Sequence, residues 1–195
     1  MKRLISFRGA DGRELESQEK PAETLSARLK GEKVLVDDGT RFAELEQAGY
    51  GEKEGRRLLL KDYEALYLVF AGKLTITDED GGQLSFARLS EMCQSRARDS
   101  WTKFIIYRDL RSRGYIVKEG FGFGTDLRVY ERGDFPAKAA KFVVFALDEG
   151  TETKVEDLSE SVRQIVKMGK EAIVAVIERR GEVIYYKVGR ANFRR

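Results

Sequence analysis

The sequence predicts a mixed α/β (α+β) protein, in which a small, mixed N-terminal domain precedes a domain with a central mixed β-sheet flanked by helices. Three observations lead to this fold class. Residues 1–55 are polar and rich in turns, with short strand patterns. From residue 116 onward, strand patterns surround a single helix pattern. Between them a helical region breaks near residues 95–100, so we expect domains of residues 1–97 and 98–195.

Short elements are expected in the N-terminal domain. Residues 4–7 and 33–36 are strand candidates, because turn residues follow each of them. Residues 21–30 form either a short helix or an irregular segment. A further short helix is expected over residues 42–48, and residues 51–55, GEKEG, are expected to form a loop.

A stronger helix pattern covers residues 59–71. Apolar side chains recur there at three- and four-residue spacing, and Gly72 follows in a position that commonly ends a helix. A strand over residues 73–77 is expected next. Residues 84–113 are expected to form two helices, or one helix with a break near Asp99 and Ser100, which offer an N-cap for the second piece.

The second half follows the order of an α/β unit. Its apolar run at residues 172–178 is almost continuous, which is typical of a strand covered on both faces. Arg180 and Gly181 then make the turn of a hairpin. The expected strands are residues 116–119, 126–130, 141–147, 172–178 and 183–188, with a helix over residues 156–168.

Histidine is absent from the chain, and cysteine occurs once, as Cys93. Histidine metal sites, the serine–histidine triad and a structural zinc site are therefore excluded. A single cysteine forms no internal disulfide, so a reducing cytoplasm is the expected location. No apolar segment approaches the length of a membrane span, and we expect neither a membrane nor a cofactor. The formal net charge is only +3, so a nucleic-acid surface would depend on where basic residues cluster.

Two familiar kinds of site are rejected. The glycine-rich residues 120–124, GFGFG, lack the Lys-Ser/Thr ending of a phosphate-binding loop, and a strand follows them rather than a helix. A two-metal site needs clustered carboxylates, and these cluster only after Leu147, in an expected surface loop. The remaining candidates are Tyr130 and Lys170, each at one end of an expected strand. Together they suit metal-free acid–base chemistry, although an isolated tyrosine or lysine is usually structural.

The central segments carry a family resemblance. Residues 107–115 (YRDLRSRGY), 120–124 (GFGFG) and 126–131 (DLRVYE) resemble the signature of archaeal tRNA-splicing endonucleases, also called tRNA-intron endonucleases. Segments in both halves agree with that family, so the resemblance covers nearly the whole chain. It implies that residues 98–195 are a catalytic-type nuclease domain.

The resemblance implies a catalytic set with one member missing. It assigns Tyr130 as the base toward the RNA 2′-hydroxyl and Lys170 as the residue that stabilises the transition state. Cleavage would need no metal and would leave 2′,3′-cyclic phosphate and 5′-hydroxyl ends. The family's histidine corresponds to Ala139, with Ala140 as the less favoured alignment. Alanine has no proton to exchange, so impaired cleavage with retained RNA binding is expected.

Three interpretations stay open at this point. The chain is a catalytic-type subunit disabled at one position, a structural subunit that partners a catalytic one, or an RNA-binding or assembly protein on the same fold. The retained tyrosine and lysine favour the first of these.

The resemblance also implies an RNA partner and an assembly. The expected substrate is bulge-helix-bulge precursor tRNA. The expected assembly is a homo-oligomer, dimer or tetramer, or a hetero-tetramer with a structural subunit. Arg163 corresponds to an arginine that stacks on a bulge base from the neighbouring subunit, and Lys187 and Arg190 are candidates for its second basic partner. An acidic loop corresponds to one that docks on an opposing subunit; its acidic residues are Asp148, Glu149 and Glu152.

Overall fold

Two mixed β-sheets of five strands each organise the chain, in a computed structural model that describes residues 24–37, 39–122, 125–150 and 152–191. The first half contains β1 (Leu25–Lys30), β2 (Lys33–Val36), α1 (Phe42–Gln47), β3 (Glu52–Glu54), β4 (Arg57–Leu60), α2 (Asp62–Phe70), β5 (Leu74–Thr77) and α3 (Phe86–Arg96). The second half contains α4 (Ser100–Ser112), β6 (Ile116–Gly122), β7 (Thr125–Tyr130), β8 (Phe142–Asp148), α5 (Val155–Lys167), β9 (Glu171–Ile177) and β10 (Val183–Val188).

The first sheet has the strand order β3-β4-β2-β1-β5, and only β1 and β5 run parallel. Leu25, Ala27 and Leu29 of β1 are buried while the residues between them are exposed, so one face of the strand turns to the core. α2 begins where the Glu64 carboxylate accepts a hydrogen bond from the backbone N–H of Lys61. Side-chain alternation and capping therefore explain where these elements lie.

Helices cover both faces of the second sheet, whose strand order is β10-β9-β8-β7-β6. β8 and β9 run parallel and are connected through α5, whereas the other neighbours are antiparallel. Alternation along β8 separates the two faces. Val144 belongs to the core that includes Phe104 of α4, while Val143 and Phe145 pack with Val162 of α5. The predicted mixed sheet flanked by helices is confirmed.

The break between the two long helices is also confirmed, since α3 ends at Arg96 and α4 begins at Ser100. The expected domain boundary at residues 97 and 98 falls in this link. The core does not stop there, because Leu89 of α3, Phe104 of α4 and Val144 of β8 belong to one cluster of buried residues. α4 is thus shared by the two halves.

Three predictions in the N-terminal half are wrong. The expected helix or irregular segment at residues 21–30 contains strand β1, because its apolar residues alternate with polar ones. The expected loop at residues 51–55 contains β3, which pairs with β4. The helix expected from residue 59 begins at Asp62, since Leu59 and Leu60 belong to β4, where Leu59 pairs with Leu35 of β2.

The strand expected at residues 4–7 and the end of the basic tail, residues 192–195, lie outside the described residues. Across the described ranges, no helix is both long and apolar enough to cross a bilayer.

Candidate active site

The register of the second sheet brings three chain segments together at one end. Val129, the residue before Tyr130, pairs with Phe142 at the start of β8. Phe142 in turn pairs with Glu171, the residue after Lys170. Neighbouring strands lie about 5 Å apart. The end of β7 and the beginnings of β8 and β9 therefore form one site, which includes the loop of residues 131–141.

Tyr130 is half-buried at the last position of β7. Its ring meets the ring of Phe135 edge-on, with 5.0 Å between the ring centroids. Leu127 and Val129 are buried in the core, so the alternating residues Arg128 and Tyr130 project to the opposite face of the sheet. The strand thus fixes the backbone of Tyr130, while its side chain lies at the sheet end.

Lys170 follows the C-terminal turn of α5, which Gly169 closes with a φ of +68°. Its backbone N–H donates to the carbonyl of Ile165 at 3.1 Å, and its ammonium donates to the carbonyl of Ala140 at 2.5 Å. The same ammonium lies 5.4 Å from the ring centroid of Phe121 on β6. Lys170 is therefore tied directly to the loop that follows Tyr130.

The loop between β7 and β8 is held by its own backbone. The N–H of Lys138 donates to the carbonyl of Asp134 at 2.7 Å, and the N–H of Lys141 donates to the carbonyl of Val129 at 3.0 Å. Ala139 is exposed, whereas only 4% of the surface of Ala140 is accessible. A side chain at position 139 would thus reach solvent, and one at position 140 would not.

Charges around the site are mostly paired. Glu131 and Lys141 form an ion pair of 2.6 Å, and Glu171 and Lys187 form one of 2.9 Å. The hydrogen bond from Lys187 holds the pKa of the Glu171 carboxyl below its usual value. Lys170 differs, because its partners among the described residues are a neutral carbonyl and an aromatic ring. Its ammonium therefore has no carboxylate partner within the described ranges.

Sequence reasoning missed Arg128 and Phe121. The guanidinium carbon of Arg128 lies 5.3 Å from the centroid of the same Phe121 ring that Lys170 approaches. Tyr130 follows Arg128 by two residues on β7, so the two side chains project to the same face of the sheet. That face also carries Lys170, because Arg128 and Lys170 approach the same ring. The signal was present in the segment DLRVYE, where Arg128 precedes Tyr130 by two residues on a strand.

The predicted RNA-binding residues separate into two places. Arg163 on α5 and Arg190 after β10 line one open groove, together with Val162 and Val188. Arg163 also pairs with Glu160, one turn earlier, at 2.8 Å. Lys187 lies on β10 and pairs with Glu171, next to Lys170. The structure thus groups Arg163 with Arg190 rather than with Lys187.

The three predicted interface acids have different surroundings. Asp148 accepts a hydrogen bond from the Thr102 hydroxyl of α4 at 2.6 Å. Glu149 accepts one from the backbone N–H of Arg179 at 3.0 Å and pairs with the Arg179 guanidinium at 3.3 Å. Glu152 is exposed, and no partner for it is recorded within the described part of the chain. Two of these acids therefore also stabilise their own chain.

The arrangement places a phenol and an ammonium at one end of a rigid sheet. A phenol can exchange a proton, and an ammonium can stabilise developing negative charge on an oxyanion. In the described ranges, no three histidine, cysteine, aspartate or glutamate residues cluster in a way that would hold a metal ion. Tyr130 and Lys170 are thus side chains that could support proton transfer and charge stabilisation.

Sequence comparison relates both halves of the chain to known domains. The catalytic C-terminal domain of tRNA intron endonuclease matches residues 100–185. The N-terminal domain of tRNA intron endonuclease matches residues 25–90. The two matched segments leave out the chain ends and residues 91–99, which comprise the second half of α3 and its link to α4.

Similar proteins named tRNA-splicing endonuclease occur in several archaea. The one from Methanococcus vannielii is 32% identical over 170 residues, which cover 87% of this chain and 96% of that protein. The one from Pyrococcus horikoshii is 36% identical over 72% of this chain and 80% of that protein. A relative from Methanosarcina mazei is 36% identical over 86% of this chain, but the match covers only 47% of that longer protein. By both domain matches and these relatives, the chain belongs to the tRNA intron endonuclease family.

Proposed function

We propose that this protein is a subunit of a tRNA-splicing endonuclease that binds bulge-helix-bulge precursor tRNA. The observation that carries the proposal is the meeting of Tyr130, Lys170 and the loop at residue 139 at one end of the second sheet. The names of the relatives agree with this function. The free, buried thiol of Cys93 suits a reducing cytoplasm.

The proposed reaction is cleavage of an RNA phosphodiester by its own 2′-hydroxyl. The 2′-oxygen attacks phosphorus, its proton passes to the phenolate oxygen of Tyr130, which becomes a phenol, and the bond from phosphorus to the 5′-oxygen breaks. Lys170 stabilises the negative charge that accumulates on the phosphorane oxygens. A proton must then reach the leaving 5′-oxygen. The products are a 2′,3′-cyclic phosphate and a 5′-hydroxyl, and no metal takes part.

The proton donor for the leaving group is the member that this chain lacks. Position 139 is exposed and adjoins Ala140, whose carbonyl holds the Lys170 ammonium, so a histidine there would stand beside the other two groups. The burial of Ala140 supports residue 139, not 140, as the position of the family histidine. Alanine donates no proton, so the chain as written cleaves poorly while it keeps its RNA-binding surface.

Replacing Ala139 with histidine tests the proposal. The variant is expected to cleave bulge-helix-bulge RNA about 100-fold faster or more, since a placed general acid contributes at least that much. Cleavage is followed with end-labelled RNA in the presence of a chelator. The 5′ fragment should resist phosphatase until acid opens the cyclic phosphate.

A second change serves as the control for this gain. Tyr130→Phe in the Ala139→His background keeps the ring and removes the phenol, so turnover should be lost while RNA binding stays. If the Ala139→His variant shows no cleavage, alone or with a family subunit of known activity, the chain is not a disabled catalyst.

Ala139 itself favours a second candidate function, that of a structural subunit in a hetero-tetramer. Such a subunit loses the histidine without penalty, because its partner supplies the active site. Mixing the unaltered chain with a catalytic relative then raises the partner's cleavage of precursor tRNA, and Tyr130→Phe leaves that stimulation unchanged. Loss of stimulation in the Tyr130→Phe variant would reject the structural role.

A further inference from the structure

Arg128 occupies a position on β7 from which its side chain reaches the active face of the sheet. Its neighbours Leu127 and Val129 are buried in the core, with 0% and 2% of their surface accessible. Arg128 therefore projects to the opposite face, as Tyr130 does two residues later. Two positions along a strand span about 7 Å. Arg128 and Tyr130 are thus neighbours on one face of the same strand.

The ring of Phe121 links Arg128 to Lys170. The guanidinium carbon lies 5.3 Å from the ring centroid and the Lys170 ammonium lies 5.4 Å from it. Both distances are within the range of a cation–π contact. Two cations from different strands therefore share one aromatic platform on β6, and each has its position set by that ring.

Neither cation has a carboxylate partner in the described part of the chain. The ammonium of Lys170 donates to the neutral carbonyl of Ala140, and the buried Nε of Arg128 has no hydrogen-bond partner there. The neighbouring acids are already engaged, Glu171 by Lys187 and Glu131 by Lys141. An anion that binds beside this ring would therefore meet two cations that no described carboxylate already neutralises.

We propose that Arg128 binds a phosphodiester of the RNA and forms, with Lys170 and the Phe121 ring, a two-cation phosphate site. This inference rests on the proposed function and adds a residue to it. The planar guanidinium presents its N–H groups as a fork that matches phosphate oxygens. Stacking on Phe121 fixes that fork before RNA arrives, so little side-chain freedom is lost on binding.

The salt dependence of RNA binding tests the proposal. Each phosphate contact contributes about 0.7–0.9 to the slope of log K against log salt concentration. Arg128→Met keeps the stem on Phe121 and removes the charge. It should lower that slope by about 0.7–0.9 and weaken binding of a bulge-helix-bulge RNA about 10-fold or more at low salt. Arg128→Lys should keep most of the slope, because it keeps the charge.

Arg56→Met is the matched control. Arg56 is exposed in the turn between β3 and β4, in the first sheet, so its loss removes one charge without touching the site. The slope of log K against log salt concentration for Arg56→Met should equal that of the unaltered chain. Thermal unfolding of each variant checks that the protein is folded at the temperature at which RNA binding is measured.

The results separate this inference from the proposed function. If the unaltered chain binds the RNA and Arg128→Met keeps the full slope, Arg128 makes no phosphate contact and the inference is overturned alone. If Arg128→Lys loses as much slope as Arg128→Met, the charge is not what RNA recognises, and the inference is again wrong. If the unaltered chain does not bind the RNA, the proposed function and the inference both fall.

Discussion

The hydroxyl of Tyr107 is a buried polar group without a hydrogen-bond partner among the described residues. Its side chain is 0% exposed and packs between the rings of Tyr63 and Tyr67, at centroid distances of 4.9 and 5.6 Å. Burial raises the pKa of this phenol well above its usual value, so it stays neutral. An unpaired buried hydroxyl costs about 1–3 kcal/mol. The hydroxyl of Tyr107 thus destabilises the core, whereas its ring stabilises it.

We expect Tyr107→Phe to raise the free energy of unfolding by about 1 kcal/mol, because the ring stays and the unpaired hydroxyl is removed. Tyr63→Phe is the matched control, since the Tyr63 hydroxyl donates to Glu119 at 3.1 Å. That change should lower the free energy of unfolding by about 1 kcal/mol. Urea unfolding of the three proteins measures both effects. If both variants instead lost the same free energy of unfolding, the Tyr107 hydroxyl would have a hydrogen-bond partner.

At the residue level, sequence reasoning reached Tyr130 and Lys170 because each adjoins a strand and their chemistry suits one reaction. It did not reach Arg128, since an arginine between two apolar strand residues is usually only a solvated side chain. What distinguishes Arg128 is its contact with Phe121, and hence its proximity to Lys170, which comes from a strand some forty residues away. Such a contact depends on sheet order, which local sequence does not specify.

Among the elements, α2 is joined to β6 and to the turn at residue 51 by one buried ion pair. Glu64 is 1% exposed, and its two oxygens each accept from the N–H of Gly51 at 3.1 Å. The Lys118 ammonium of β6 lies 3.7 Å from Glu64 and donates to the Gly51 carbonyl at 2.6 Å. Burial raises the pKa of the Glu64 carboxyl, and Lys118 opposes that rise. The pair connects the N-terminal half to the second sheet.

We expect Glu64→Gln to lower the free energy of unfolding by about 3–5 kcal/mol, because it leaves the Lys118 ammonium buried without an anion. Glu54→Gln breaks the exposed ion pair with Lys33. The N···O distance of that pair, 2.7 Å, is shorter than the 3.7 Å of the buried pair, yet its loss should lower the free energy of unfolding by less than about 1 kcal/mol. Denaturant titrations of both variants compare the two pairs. A loss for Glu64→Gln as small as that for Glu54→Gln would mean that water reaches the buried pair.

The elements of the second half were predicted better than those of the first, for a physical reason. Its central strands β8 and β9 are long apolar runs, and glycines mark several of the turns. In the first half, β3 is a three-residue edge strand, EKE, with all side chains exposed. β4 runs into α2 through Lys61 alone, so the apolar residues of a strand and a helix merge into one periodic pattern. Only the pairing of β4 with β2 separates them.

At the scale of the whole molecule, one buried cluster joins the two halves through α4. The division at residues 97 and 98 stays a prediction, because α4 packs against α2 and α3 of the first half and against the second sheet. The sequence predicted a small mixed N-terminal unit, followed by a second unit with a central sheet. It carried no signal of a shared core, because the contacts between α2 and α4 and between α4 and the second sheet are long-range in sequence.

Assembly is the last property that the proposed function requires. Arg163 lines a groove with Arg190 and pairs with Glu160 on its own helix, whereas the Tyr130 site is built from β6, β7, β8 and β9. If Arg163 stacks on a bulge base in a neighbouring active site, no single chain contains a complete site. Native mass measurement of the purified chain should then give a dimer or tetramer.

Complementation between two inactive variants tests the same point by activity. In the Ala139→His background, Arg163→Ala and Tyr130→Phe should each abolish cleavage of bulge-helix-bulge RNA. In a mixed assembly, a subunit with Tyr130 receives Arg163 from its Tyr130→Phe neighbour, so one complete site forms. Random pairing of equal amounts would restore about one quarter of the sites. If Arg163 acted within its own chain, no mixture of the two variants would form a complete site, and activity would stay at the level of the separate variants.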